Sequence, residues 1–433
     1  MSSEKTKPVP KLRFPEFRDG PQWESRELGP MTLKVGSGIT PTGGDKNYKA
    51  KGRPFVRSQN VGWGELILDD VAYINEEMHR SFNSTEIVMS DVLLNITGAS
   101  IGRSAVADSR VVAGNVNQHV CIIRTKLNEL NPFLLNQYLI SQDGQSQIDI
   151  FQAGGNRQGL NFSQIRSFLI PLSQALSEQQ KIADCLSSAD ELIAAQARKV
   201  EALKTHKKGL MQQLFPREGE TQPRLRFPEF GQSVEWEVLP IGDKVELLSG
   251  YPFDGPGISQ DSTGVPLLRG INVTEGRVRH NPEIDRFFTG ATEALEKYKL
   301  QLNDLVIGMD GSKVGKNSAL ITTADTGALL IQRVARLRTK NVDLVRFIFQ
   351  QINSSTFHRY VDKINTSSGI PHISAKQVKE FRLAFPSNQE QKRIADFFSN
   401  LDTLVTAATQ ELDTLKTHKE GLMQQLFPAV ETA

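Results

Sequence analysis

Leu203-Lys-Thr-His-Lys-Lys-Gly-Leu-Met-Gln-Gln-Leu-Phe-Pro216 returns as Leu415-Lys-Thr-His-Lys-Glu-Gly-Leu-Met-Gln-Gln-Leu-Phe-Pro428, 212 residues later. A second pair of anchors lies upstream. Lys11-Leu-Arg-Phe-Pro-Glu-Phe17, followed by Trp23-Glu24, returns as Arg224-Leu-Arg-Phe-Pro-Glu-Phe230 and Trp236-Glu237 at an offset of 213. Matches of this length at one offset mark a tandem duplication, so the fold is one plan made twice.

Each copy ends in a helix. Ile182, Leu186, Ala189, Ile193, Gln196, Val200, Leu203, Lys207, Leu210 and Leu214 alternate by four and three. Ile394, Phe398, Leu401, Val405, Ala408, Leu412, Leu415, Lys419, Leu422 and Leu426 repeat the spacing. Eight of the first ten and nine of the second ten are apolar, which is a heptad seam sustained over more than four heptads. Pro216 and Pro428 stop the two helices. From Ile182 to Leu214 a straight helix spans ~48 Å at ~1.5 Å per residue. The second globular segment starts directly after Pro216. If the two seams pack on each other, the helices therefore run antiparallel, with the globules at opposite ends about a pseudo-two-fold axis. A second apolar set, Ala183, Leu192 and Met211 against Ala395, Leu404 and Met423, lies beside the seam. It fits partner helices that complete a bundle, or packing against the adjacent globule. Gly209 and Gly421 weaken a helix interior by roughly 1 kcal/mol each, which fits close approach by a partner or a local bend.

Between the anchors the two copies stay in register but diverge. Phe55-Val-Arg-Ser-Gln-Asn-Val61 faces Leu267-Leu-Arg-Gly-Ile-Asn-Val273, and the turn through Gly98 and Gly102 faces Gly311 and Gly315. Gln118 to Lys126 faces Gln332 to Lys340. Short apolar runs such as Val120–Arg124 and Leu329–Leu337 read as strands, and Asn131–Ser141 and Asp343–Asn353 as helices, so the globules are α+β. A common scaffold with two different surfaces suits a protein that reads two different things in one way.

Composition excludes several classes. With 38% hydrophobic and 23% charged residues the 433-residue chain is an ordinary globular protein of two or three domains. No apolar run reaches transmembrane length and the first eleven residues lack a signal-peptide stretch, which makes the cytoplasm the expected location. Cys121 and Cys185 are too few for a disulfide framework or a zinc site and read as small hydrophobes. The formal net charge is +2. Residues 1–176 carry 19 Lys+Arg against 17 Asp+Glu, and residues 217–387 carry 22 against 20. Any basic surface must be a local patch.

No active site emerges. Asp310-Gly-Ser-Lys-Val-Gly-Lys-Asn317 nearly matches a phosphate loop, but Asp310 replaces the first glycine and Asn317 the magnesium-binding hydroxyl residue. Asn131-Pro132-Phe133 falls short of the Asn-Pro-Pro-Tyr/Phe box of adenine methyltransferases. The seven histidines show no metal-ligand spacing. The chain is expected to be no enzyme and to hold no metal.

Two globules, each followed by a near-identical heptad helix, resemble the specificity subunit of type I restriction–modification systems. The resemblance rests on the Leu-Arg-Phe-Pro-Glu-Phe…Trp-Glu pairs, the helix starts Glu178 to Asp184 and Glu390 to Asp396, and the Gly-Leu-Met-Gln-Gln-Leu-Phe-Pro ends. It implies an α+β fold of two pseudo-repeated α/β target-recognition domains separated by two long antiparallel coiled-coil helices. The domains would be 1–176 and 217–387, the helices 177–216 and 388–428. It further implies double-stranded DNA as ligand, read at a bipartite, asymmetric site. Two modification subunits would dock on the helices and methylate adenine with S-adenosylmethionine. Restriction subunits that use ATP and Mg²⁺ can join such assemblies. No cofactor is expected on this chain. Base readout needs Arg or Lys for guanine and Asn or Gln for adenine. The loop residues with that chemistry are Arg57, Ser58, Gln59, Asn60, Asn156, Arg157, Gln158, Arg269, Asn272, Ser312, Lys313, Thr366 and Ser367. The helix seam would use Ile182, Leu186, Ile193, Val200, Leu203, Leu210, Ile394, Phe398, Leu401, Val405, Leu412, Leu415 and Leu422. Partner docking falls to Leu192, Met211, Leu404 and Met423. The competing reading is a structural adaptor, with the coiled coil as spacer and protein-binding globules.

Overall fold

The computed structural model describes residues 9–153, 159–365 and 371–428. The chain divides into two compact units: unit 1 is Met1–Ala197 with Gln410–Ala433, and unit 2 is Arg198–Thr409. The division falls inside each long helix, not at its ends.

Unit 1 runs through β1 (Trp23–Glu27), β2 (Thr32–Ser37), β3 (Arg53–Val56), β4 (Ala72–Ile74), α1 (Glu76–Ser81), β5 (Val92–Asn95), β6 (Ser104–Val106), β7 (Asn115–Val116) and β8 (Val120–Thr125). It continues through α2 (Pro132–Leu139), α3 (Gln142–Ala153), α4 (Phe162–Arg166) and β9 (Leu169–Ser173) into α5 (Leu176–Leu214). An antiparallel sheet in the order β2-β8-β5-β6 forms its centre. Beside it lie the sheet β4-β3-β7 and the pair β1-β9. Alternation along the central strands explains how the sheet holds two cores at once. Val92, Leu94, Cys121 and Ile123 point into the core shared with the helices. Leu93, Ala105, Val120 and Ile122 point into a second core on the other face. Burial pushes the Cys121 thiol up to about 12, so it acts as a small hydrophobe.

Unit 2 repeats the plan with β10 (Glu237–Pro240), β11 (Glu246–Ser249), β12 (Ile258–Ser259), β13 (Val265–Leu268), β14 (Phe287–Phe288), β15 (Leu305–Gly308), β16 (Ser318–Leu320), β17 (Leu329–Leu330) and β18 (Val334–Arg338). Then come α6 (Val342–Ile352), α7 (Ser355–Ile364), α8 (Ala375–Glu380), β19 (Arg382–Phe385) and α9 (Asn388–Leu426). The central order is β11-β18-β15-β16, flanked by β12-β14-β13-β17 and β10-β19. Leu305, Ile307, Ala335 and Leu337 face the helical core, while Val306, Ala319 and Val334 face the other. Asn131 and Asn341 cap α2 and α6 by accepting backbone N–H bonds. The Asn131-Pro132 pair is thus a helix start, with proline at the first helical position.

The heptad reading holds along both helices. None of the seam side chains is exposed, and most positions between them are. In unit 1 the start of α5 (Ile182, Ala183, Leu186) shares a core with the end of α9 (Met423, Leu426, Phe427). Gln196 bonds Glu411 at 2.8 Å and Asp190 bonds Lys419 at 2.6 Å. One number falls as the other rises, so the two segments are antiparallel. In unit 2 the end of α5 (Leu214, Phe215) shares a core with the start of α9 (Ile394, Ala395, Phe398). Phe215 stacks on Phe398 at 5.5 Å, and Lys207 bonds Asp402 at 2.5 Å. A Cβ added at Gly209 or Gly421 would meet nothing within 4 Å, so neither glycine is required by packing among the described residues.

The duplicated Leu-Arg-Phe-Pro-Glu-Phe motif now has a physical role. Arg13 grips Glu178 through Nε at 2.7 Å and Nη2 at 2.8 Å, and Trp23 Nε1 donates to the same carboxylate at 3.3 Å. Arg226 grips Glu390 the same way, at 2.7 Å twice. The Leu12 amide donates to the Gln425 carbonyl in unit 1, and the Leu225 amide to the Gln213 carbonyl in unit 2, both at 2.9 Å. Each motif ties the first turn of one helix to the last turn of the other.

Burial would raise the pKa of Glu178, but hydrogen bonds from Arg13, Ser173 and Trp23 outweigh it and hold the carboxyl below its ordinary 4.5. A depressed folded value gives stability that is present above the unfolded value and lost as pH falls through the folded one. Arg13→Ala leaves the buried carboxylate with its main partner gone, and should lower unfolding stability at pH 7 by about 3–5 kcal/mol. Burial then dominates and raises the folded value, so the gap between variant and parent should begin to shrink above pH 4.5 and keep shrinking as pH falls further. Urea titrations of both proteins from pH 7 to pH 4 check this; a gap independent of pH would refute it.

Candidate nucleic-acid interface

The turns that follow β3 and β13 contain the most prominent of the polar candidates, and the structure gives most of them another task. The Asn60 side chain is fully buried. Its oxygen accepts from the Arg57 amide at 3.0 Å, and its nitrogen donates to the Ile67 carbonyl and to Asp70, both at 2.9 Å. Arg57 reaches the Asp70 carbonyl at 2.6 Å and lies 5.4 Å over the Tyr48 ring. Gln59 is also held by Asp70, and the Ser58 carbonyl accepts from Asn95 at 2.8 Å. In unit 2, Asn272 accepts from the Arg269 amide at 3.2 Å and donates to Asp285 at 2.9 Å, while Arg269 donates to the Ile284 carbonyl at 3.1 Å. The expectation that Asn60 and Asn272 read bases is therefore corrected. Their amides are consumed in closing the turn, and Arg57, Gln59 and Arg269 brace the same turn from outside. Arg-x-x-Asn is a loop-closing box.

Asn156, Arg157, Gln158, Thr366 and Ser367 lie outside the described residues. Their flanks are informative. Gly159 bridges Thr97 in unit 1, and His372 bridges Asp310 in unit 2. Gly159 and His372 thus lie beside the glycine turn that joins the two central strands β5–β6 or β15–β16. Left-handed Gly98 and Gly102 shape that turn in unit 1, and left-handed Gly311 and Gly315 in unit 2. Ser312 and Lys313 sit at its exposed tip, with Lys313 3.0 Å from Glu275. The near-match to a phosphate loop is this strand-connecting turn.

Three further matched positions surround the glycine turn, and sequence reading nominated none of them as DNA readers. The Ile96 amide donates to the His119 carbonyl at 3.0 Å, and the Met309 amide to the Arg333 carbonyl at 2.9 Å, so His119 and Arg333 are structural equivalents. Thr97 Oγ1 meets His119 Nδ1 at 2.5 Å; at the same place Arg333 pairs with Asp310 at 3.2 Å. Trp63, 53% exposed, occupies the tip of the turn closed by Val61 and Leu66. Glu275 holds the same place in the turn closed by Val273 and Val278. The Gly64 amide donates to Ser104 and the Gly276 amide to Ser318, which fixes that equivalence. A signal was available: Gln118–Lys126 and Gln332–Lys340 align, and the residue after the shared Gln differs, His119 against Arg333.

On the helices, the docking expectation divides. Met423 is buried in the core of unit 1 and Met211 packs on that of unit 2. Both are corrected: each belongs to its own unit because the last turn of each helix leaves the seam and enters a globular core. Leu192 and Leu404 remain 59% and 54% exposed. Among the described residues, no group of three or more His, Cys, Asp or Glu is placed to hold a metal ion, and no helix is long and apolar enough to cross a membrane.

A family model described as the type I restriction modification DNA specificity domain matches the chain twice, over residues 22–205 and 233–417. A putative type I restriction enzyme MjaX specificity subunit of Methanocaldococcus jannaschii is 22% identical over 412 residues, covering 94% of this chain and 92% of that protein. The type I restriction enzyme MjaVIII specificity subunit of the same organism is 27% identical over 265 residues, 60% of this chain and 61% of that one. The fold is similar to the crystal structure of a type I restriction–modification S subunit from M. genitalium, at TM-score 0.62 and 16% identity, covering 98% of this chain and 100% of that one. A structure described under complex assembly and conformational transition of the type I R-M system matches at TM-score 0.53 and 14% identity, covering 94% and 97%.

If Asn60 and Asn272 serve the turns, Asn60→Ala and Asn272→Ala should each lower stability by about 1–3 kcal/mol, the cost of stranded buried partners. Whatever ligand the unit selects should be unchanged. Chemical denaturation measures the first, and ligand preference of the surviving folded fraction the second; a stable variant with altered preference would reverse the assignment.

Proposed function

The chain belongs to the type I restriction modification DNA specificity family, and from that premise we propose that it selects the DNA site for a multi-subunit modification complex without performing catalysis itself. Unit 1 reads one half of a bipartite double-stranded DNA site and unit 2 the other. The observation that carries this is the pair of glycine-turn faces, where matched strands, glycine turns and main-chain hydrogen bonds present two different sets of polar and aromatic side chains. The same scaffold would thereby select two different half-sites, so the full site is asymmetric. Phosphate contacts supply affinity and base edges supply choice. The exposed Lys313–Glu275 pair suits this, because surface ion pairs are worth at most about 1 kcal/mol and open readily when a phosphate arrives.

Two modification subunits dock along the long helices, with Leu192 and Leu404 as matched apolar contacts. S-adenosylmethionine belongs to those partners, and ATP with Mg²⁺ to restriction subunits where they join. The cytoplasm is the compartment this role requires.

Footprinting tests the reading. The complex with modification subunits should protect two short blocks separated by an unprotected spacer, and log affinity should fall linearly with log salt. Salt-insensitive association with DNA, with partner binding intact, would favour a protein-binding adaptor instead. Separately, Leu192→Glu with Leu404→Glu should leave the melting temperature of the isolated chain within a few degrees of the parent's, because both side chains are exposed. Affinity for the modification subunits should drop at least tenfold, on the order of 1.4 kcal/mol. Unchanged co-purification and titration would exclude these leucines from the docking surface.

A further inference from the structure

We infer that Arg333, buttressed by Asp310, is the guanine-reading residue of unit 2, and that Thr97–His119 is the matched reading pair of unit 1. The inference rests on the DNA-specificity reading above and assigns its residues.

Three independent observations carry it. The first is equivalence with divergence. His119 and Arg333 accept the same main-chain hydrogen bond through their carbonyls, from Ile96 and Met309. Thr97 and Asp310 make matched bridges, to Gly159 and to His372. The scaffold contribution is entirely main chain, so the side chains are released for another task. They also differ in chemistry between the two units: hydroxyl and imidazole against carboxylate and guanidinium.

The second observation is conformational. Arg333 has φ +70°, one of four non-glycine residues in the described chain with positive φ. That region is sterically disfavoured for an L side chain, and glycine would adopt it freely. A position serving only the turn would be better filled by glycine, as Gly98, Gly102, Gly311 and Gly315 are nearby. An exposed arginine held there against backbone preference marks a side chain in use.

The third is presentation. The Arg333 side chain is 60% exposed and its Nη1 lies 3.2 Å from Asp310 Oδ2. The carboxylate takes a single hydrogen at Nη1 and draws the guanidinium toward the glycine turn. The remaining N–H groups form the fork that matches guanine O6 and N7 in the major groove. Lys313 and Glu275 lie on the same rim at 3.0 Å from each other, placing a cation where a flanking phosphate can be met. Unit 1 has Trp63 and Ser100 at those two places, so its rim offers an apolar surface and a hydroxyl. The half-site of unit 2 should therefore contain a guanine that has no counterpart at the matched position of the other half.

The experiment uses the full chain in complex with its modification subunits. The site is first mapped by base-resolution detection of methylated adenine in a methylation-free host carrying both. Binding is then measured on duplexes altered one base pair at a time, with parent, Arg333→Gly and the double exchange Asp310→Thr with Arg333→His. Glycine suits the left-handed backbone, so Arg333→Gly should melt no lower than the parent. It should lose discrimination at one guanine by about 5- to 150-fold while the salt slope stays unchanged. Placing 7-deazaguanine at that base should weaken the parent and leave Arg333→Gly unaffected. The double exchange should alter one base of one half-site and leave the other half-site intact. Uniform weakening on all duplexes, with the salt slope reduced by about one, would make Arg333 a phosphate contact and overturn the inference. Unchanged preference in folded Arg333→Gly would overturn it equally. A parent complex with no sequence preference would remove the specificity reading, and this assignment with it; a discriminating parent with indifferent variants would remove the assignment alone.

Discussion

A lysine ammonium set into an apolar helix seam has to be met by a carboxylate, and the rest of each unit is arranged around that requirement. Lys419 bonds Asp190 Oδ1 at 2.6 Å, while Asp190 Oδ2 accepts from Gln137 of α2 at 2.7 Å. In unit 2, Lys207 bonds Asp402 Oδ1 at 2.5 Å, and Asp402 Oδ2 accepts from Gln350 of α6 at 3.0 Å. Two helices and the globular part of a unit therefore meet at one aspartate. Replacing either aspartate would leave a largely buried ammonium without its carboxylate, a loss that solvent at the aspartate side offsets in part. Sliding the seam by one turn would do the same. Polar residues at seam positions of this kind fix register at some expense of stability. The register in turn brings the last turn of each helix to the Leu-Arg-Phe-Pro-Glu-Phe motif that clamps Glu178 or Glu390.

This explains which parts of the architecture were legible in the sequence. The heptads were, because burial follows a 3–4 spacing that can be counted directly. The lysines at 207 and 419 looked like interruptions, since a sequence shows a polar residue but not the aspartate opposite it. Met211 and Met423 looked like partner contacts for a related reason. A helical wheel gives the face of a residue but not what packs there. The globular cores that receive the two methionines are built largely from distant segments: residues 14–186 around Met423, and residues 227–398 around Met211. No local pattern announces such contacts.

The candidate readers failed in a different way. Arg57, Asn60, Arg269 and Asn272 have the right functional groups, and loop composition alone cannot tell whether those groups are spent. The deciding quantities are burial and the donors already paired: both side chains are buried, and both N–H donors of Asn60 and of Asn272 are taken. Arg333 carries the same guanidinium and escaped notice because it sits in the middle of Leu329–Leu337, which reads as one strand, whereas the chain turns there between Leu330 and Val334. Its left-handed backbone, invisible in composition, turns the side chain out of the sheet at the point where the strand begins.

Two kinds of ion pair thus share one molecule, and burial separates their work. Glu178 with Arg13 and Glu390 with Arg226 place a buried carboxylate where water cannot replace the lost partner, so they behave as fixed parts of the scaffold. Lys313 with Glu275 and Arg333 with Asp310 lie at the rim, where solvent screens the attraction and exchange is cheap. A face that must accept a charged ligand needs the second kind, because a partner already bound too well would have to be displaced. A frame that must hold two such faces on a constant backbone needs the first. The duplication supplied the frame twice with almost no change in its buried pairs, which left the rim pairs as the part of the design free to differ.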